Sequence, residues 1–307
     1  FVGFFRTWPG PKFWIAFYML GDFGGIWPYL ASNAAVPLAA AFLGRLPTAE
    51  DDSMIRMISY CIFLAGIVPL IFGGQIYNAV EKILVAKLVL VLSYLLLVAI
   101  FFVGWNTWAE IFSGFLKFGS LPEGEFSWAT LAAFAAVAGA GGMNNMNFSN
   151  YARDKGWGMG SQVGAIPSAV GGRKIQLSHT GKIFELSAEN LDRWRGWLRH
   201  ILRDQLVLWV PGCILGMALP AMFSYEFLRG VKNVEGHAVA AMTAQGIADA
   251  HGQIFWFLTL LCGFLIMAPT QVSQIDGFCR RWTDVMWVGV RKFHTLEGHK
   301  VKYVYYT

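Results

Sequence analysis

Residues 139–150 read "GAGGMNNMNFSN", three glycines and four asparagines closing a long apolar run. Gly139, Gly141 and Gly142 weaken a helix because glycine gives up the most backbone freedom on ordering. Asn144, Asn145 and Asn147 supply amides that satisfy freed backbone groups or coordinate an ion. Lipid offers no hydrogen-bond partners, so unwound backbone at membrane depth survives only against protein or a hydrated cavity. A broken helix at a transport site follows, with half-helix ends and bare carbonyls facing the substrate. The competing structure is close helix packing through small residues, with asparagines as interhelical glue.

Few other residues offer chemistry. Asp22 stands within an apolar run and should face the helix bundle, where an ionisable group carries a proton or an ion. Gln271 and Ser273, near the end of another run, either line a cytoplasmic vestibule or cap the helix. The six histidines fall in loops or at span ends, and no HExxH spacing joins any pair. Neither a serine elbow nor a paired-acid motif within a span appears, so we expect no enzyme. The glycines do not form a dinucleotide fingerprint, which needs a preceding strand and a soluble βαβ unit. Four cysteines without a CxxC spacing argue against a metal cluster or a disulfide framework.

The elements that position these residues follow from composition. Hydrophobic residues make up 56% of the 307, charged residues only 14%, and 13 Trp and 25 Phe exceed what one soluble core of this size would hide. With a mean hydropathy of +0.48, the chain reads as an all-α integral membrane protein. Apolar runs near 13–43, 56–73, 82–104, 126–150, 205–223 and 253–272 are each long enough to cross about 30 Å of hydrocarbon. Six spans in one polytopic domain are therefore expected.

Lys and Arg concentrate before the first run, in 151–204, and after the sixth, where Arg280 and Arg281 open a cationic segment. "TAEDDSM" and "SLPEGEFS" lean acidic. By the positive-inside tendency the fragment starts on the cytoplasmic side and 151–204 is a cytoplasmic loop. The net charge of +5 reflects this topology and no nucleic-acid partner. Within that loop, Leu191, Trp194, Trp197, Leu198, Ile201 and Leu202 share one helical face, so an amphipathic helix near 189–203 is expected at the inner membrane surface. The start "FVGFFRTWPGP" and the end "VKYVYYT" read as truncations of a longer chain.

"GAGGMNN" resembles the sixth-helix signature of the Nramp family of proton-coupled divalent-metal transporters, G-A-x-x-M-P-H. Laid on without gaps, Ala140 takes the position of the alanine whose carbonyl faces the metal, and Met143 that of the thioether ligand. Asn144 and Asn145 replace the Pro and His. "IYNAVEKILVAKLVLVLSYLLL" at 76–97 is similar to the family's fifth helix, and "FLIMAPTQVSQIDGFCRRWTD" at 264–284 resembles its eighth. By order the spans correspond to helices three to eight of a LeuT-like inverted-repeat bundle, with "GDFGG" on the third and Asp22 in the position of an acid on the proton route. The first-helix half of the site, D-P-G-N, is not found in this chain.

The resemblance implies a secondary transporter of Mn²⁺- or Fe²⁺-like ions, H⁺-coupled, working by alternating access in a bacterial inner (plasma) membrane. The metal is cargo and no resident cofactor is implied. A thioether is a soft donor and favours such ions over Mg²⁺ or Ca²⁺. Three alternatives stand beside it: a related Mg²⁺ transporter, a transporter of small organic solutes, and a non-transporting membrane interaction protein on the same fold.

Overall fold

The computed structural model describes residues 6–23, 29–72, 76–120, 127–129, 131–132, 145–163, 165–167, 169–170, 177–179, 183–231 and 236–307. Among these the chain is helical, without strands. In chain order the helices are α1 (Pro11–Phe23), α2 (Tyr29–Leu43), α3 (Asp52–Phe72), α4 (Ile76–Phe102), α5 (Trp105–Gly114), α6 (Asn145–Asp154), α7 (Ala188–Arg203), α8 (Val210–Phe227), α9 (Val239–His251), α10 (Ile254–Gly289) and α11 (Val301–Tyr306).

Four helical stretches among the described residues are long and apolar enough to cross a membrane: Ala49–Phe72, Asn78–Phe102, Ala188–Phe227 and Ile254–Gly289. They cover the expected runs at 56–73, 82–104, 205–223 and 253–272. The run at 13–43 is divided between α1 and α2, and of these only α2 belongs to the apolar class, at a shorter length. Most of the run at 126–150 lies outside the described residues.

Composition explains why these segments are helices. α4 carries a nearly unbroken series of Leu, Val, Ile and Ala over 27 residues, good helix formers that bury no polar group. The exposed faces of α3 and α4 are apolar, with Tyr60, Leu64, Val68, Leu88, Val89 and Ile100 all more than half exposed. Such a surface is what hydrocarbon solvates and water does not. The turn into α3 closes locally: Arg45 donates to both carboxylate oxygens of Asp51, at 2.8 and 2.9 Å, and the Thr48 amide donates to one of them at 2.8 Å. The Arg45 guanidinium, with Thr48, holds the Asp51 carboxyl down at about 2. This exposed clasp persists above the ordinary aspartate range and is lost as pH falls through about 2.

α10 is the central element. It packs against α1, α2, α3, α4, α6, α9 and α11. Its 36 residues span about 54 Å at 1.5 Å per residue, whereas the hydrocarbon needs about 20 residues. The helix therefore continues well past the apolar run that ends at 272. Two cores flank it. One joins Leu70, Ile76, Val80 and Val272 to Trp287, Val301 and Tyr305; the other joins Leu95, Val98 and Ala99 to Leu219, Met222, Phe223 and Ile247.

The segment 151–204 is more structured than a loop reading implies. α6 runs through its first four residues, a short 3-10 turn covers Gly158–Gln162, and α7 forms where amphipathicity placed it. The Ser187 hydroxyl caps α7 by accepting from the Asn190 amide at 3.3 Å. α7 passes into α8 through a π turn at Asp204–Trp209, with helical backbone at both junctions. The result is one helical stretch of 40 residues. Nothing in "RDQLVLW" terminates a helix, since neither Gly nor Pro falls before Pro211. The apolar face of α7, with Trp194, Trp197, Leu198 and Ile201, borders a cleft of about 920 Å³ whose other wall includes Phe148, Tyr151 and Trp157.

Close helix contact sets a strict steric demand between α8 and α9. A Cβ at Gly246 on α9 would lie 2.6 Å from the Phe227 carbonyl oxygen, whereas one at Gly216 on α8 meets nothing within 4 Å. Gly246→Ala is expected to cost about 1–3 kcal/mol through forced separation of α8 and α9. Gly216→Ala should instead hold or gain up to about 1 kcal/mol. Thermal denaturation of the two variants in detergent checks the opposite signs.

Candidate functional site: a buried charge network beside the glycine–asparagine segment

Gly139, Ala140, Gly141, Gly142, Met143 and Asn144 lie outside the described residues, so the expected helix break and its carbonyl and thioether lie there too. Asn145 enters as the first residue of α6. Its neighbour Asn147 is better resolved in role. In the amide orientation that satisfies both ends, Asn147 donates to the Gly277 carbonyl at 3.2 Å and accepts from Arg281 Nη1 at 2.7 Å; that orientation is assigned from its neighbours. α6 sits close against α10 here, because a Cβ at Gly277 would strike the Asn147 carboxamide. Asn147 thus serves as glue between helices, the competing reading of the segment's amides.

The C-terminal half of α10 carries the chemistry that hydropathy concealed. Arg280 and Arg281, expected in a cationic loop after the sixth run, are inside the helix and 0% and 1% exposed. A charge enters such a position only if paired and hydrogen-bonded. Arg280 Nε donates to both oxygens of Asp276, each at 2.8 Å, one helical turn earlier. Its Nη1 donates to Asp154 Oδ2 on α6. Asp276, itself fully buried, also accepts from the Tyr305 hydroxyl of α11 at 2.6 Å. Asp154 accepts from Arg153 Nε at 2.8 Å and from the Ile166 amide at 3.2 Å.

Arg281 points to the other side. Its Nε donates to both oxygens of Asp22 at 2.9 and 3.1 Å, and the Trp282 indole N–H donates to the same carboxylate at 3.1 Å. Asp22 is 2% exposed on α1. It faces the bundle as its cost in hydrocarbon required, and the geometry gives it a fixed guanidinium partner. Asp22, Asn147 and Arg281 form one chain linking α1, α6 and α10.

Gln271 and Ser273 lie in the interior of α10, which runs on to Gly289, so neither caps the helix. Gln271 is buried, and its Oε1 has no partner among the described residues. Ser273 is half-buried, beside Tyr151 where α6 packs on α10. One intramembrane group escaped sequence reading. Lys87, in the middle of α4, donates to Thr270 Oγ1 on α10 at 2.6 Å, and that hydroxyl donates to the Ile266 carbonyl at 2.6 Å. A lysine flanked by Leu, Val and Ala over two turns was a visible signal in the sequence.

The described network brings Asp22, Asn147 and the end of α10 together and holds no group of three His, Cys, Asp or Glu side chains with metal-site geometry. Its chemistry is that of buried, paired charge. Comparison with protein-family models, curated proteins and solved structures finds no match in any of the three. The network is therefore interpreted from its own geometry.

Removing one member of a buried ion pair strands the other, at about 3–5 kcal/mol. Asp22→Asn and Arg281→Gln should each destabilise on that scale, and the double variant by clearly less than the sum. A double-mutant cycle by denaturation in detergent measures the difference, and additive losses would mean that the two side chains do not interact.

Proposed function

We propose that the chain is the core of a secondary transporter for divalent transition-metal ions of the Mn²⁺/Fe²⁺ type, H⁺-coupled and working by alternating access on a LeuT-like scaffold in a bacterial plasma membrane. The reading draws on the resemblance of "GAGGMNN" to the Nramp sixth-helix signature and on the four long apolar helices. Ala140 would offer a carbonyl and Met143 a sulfur to the passing cation, with Asn144 and Asn145 adding amide oxygens.

The observation that carries it is the position of α6. α6 is fastened to α10 through Asn147 and Asp154. The helix that follows the motif thus has a buried support in α10. A cation site needs its donors held within a fraction of an ångström by such a second layer. Gln271, buried toward Gly66 of α3, and the half-buried Ser273, beside Tyr151 of α6, flank α10 on different sides, and in this reading each lines part of a vestibule toward the cytoplasm.

The test is uptake by the full chain in proteoliposomes. Wild type is expected to accumulate Mn²⁺ in preference to Ca²⁺, and Met143→Ala to lower that preference about tenfold, equivalent to about 1.4 kcal/mol of differential binding. Unchanged selectivity removes the thioether from the site. Mg²⁺ competing as well as Mn²⁺ would favour a Mg²⁺ carrier, and no metal uptake by wild type would end the transport reading for these ions.

A further inference from the structure

The buried charges at the cytoplasmic end of α10 do not balance. The carboxylates are Asp22, Asp154, Asp276 and Asp284, four in all; the guanidiniums are Arg153, Arg280 and Arg281, three. Among the described residues one negative charge is in excess, in a cluster whose two outermost members, Arg153 and Asp284, have side chains 15% and 16% exposed. An unpaired ion under those conditions neutralises by taking or losing a proton.

Hydrogen bonding shows which carboxylate is left over. Asp276 accepts twice from Arg280 and once from Tyr305. Asp154 accepts from Arg153, Arg280 and the Ile166 amide. Asp22 accepts twice from Arg281 and once from Trp282. Asp284 has a single donor, Arg153 Nη1 at 3.5 Å, the limit of a hydrogen bond. That arginine is already committed to Asp154 at 2.8 Å. Asp284 also sits within two turns of the end of α10, on the side where helix carbonyls add negative potential.

Among the described residues, the other titratable groups on the elements packed here are engaged elsewhere. Lys155 is paired with Glu81 at 2.7 Å. His179 directs its two ring nitrogens to the Trp287 and Leu296 carbonyls, and His294 directs Nε2 to the Val288 carbonyl. Tyr151 and Tyr305 offer hydroxyls and no positive charge.

We infer that Asp284 is a proton-binding site: its carboxylate takes up one H⁺ to give the neutral acid, leaves the four-acid, three-guanidinium cluster without net charge, and holds that proton at neutral pH. The step adds one proton and needs no other reactant. It rests on the buried charges and not on the identity of any cargo, so failure of metal uptake leaves it standing.

Infrared spectroscopy of the full chain in lipid nanodiscs at pH 7 tests it. Wild type is expected to show the carbonyl stretch of a protonated carboxyl, lost in Asp284→Asn and kept in Asp249→Asn, which alters an exposed aspartate outside the cluster. No such band in wild type overturns the inference, as does a band that survives Asp284→Asn. Where Asp284→Asn fails to fold, Asp284→Glu serves: the band should move to the frequency of a glutamic acid, and an unmoved band overturns the assignment.

Discussion

Burial of the Arg280–Arg281 pair is the constraint on which the arrangement of helices depends. Taking a guanidinium out of water costs several kcal/mol even after relaxation, and only well-placed carboxylates offset that cost. Two adjacent residues on a helix point about 100° apart, so their partners come from different elements. Arg280 draws α6 and α11 to one flank through Asp154 and the Asp276–Tyr305 contact, and Arg281 draws α1 to the other through Asp22. Apolar packing alone would allow these short, lightly packed helices to slide. The ion pairs set their register, because a shift of one residue would leave a buried charge alone.

This bears on how such a bundle moves. Any displacement of α6 along the bundle would have to carry it past α10. With Asp154 and Asn147 both fixed to that helix, sliding would separate an arginine 0% exposed from its acid. Movement of α6 and α10 as one block avoids that cost.

Hydropathy located α3, α4, α8 and α10 because a run of twenty apolar residues has one cheap environment. It misjudged the end of α10 because a window average treats every Arg as a wish for water. The correcting signal was periodicity: Asp276, Arg280, Thr283 and Trp287 recur at helical spacing, and all are buried. The i,i+4 Asp–Arg pair is the same signature seen in one dimension. Asp22 was singled out correctly as a residue that must face protein, yet its partner lies 259 residues away, a distance that no local pattern encodes. The role of Asn147 was equally closed to sequence, since an asparagine beside a helix break and one gluing two helices have the same neighbours in the chain.

Depth within the membrane separates two kinds of buried charge in this molecule. α10 passes through the hydrocarbon in its first twenty or so residues, so Arg280, Arg281 and Asp284 belong to the part that emerges, where the surrounding helices and not lipid exclude water. Lys87 belongs to the spanning part, and its described partner is a neutral hydroxyl. A cation against a hydroxyl is stable there only where the cavity is hydrated, because a dipole alone repays little of the desolvation. The two groups therefore answer to different solvents: the acids and arginines to a protein-made interior, the lysine to whatever occupies the middle of the bundle.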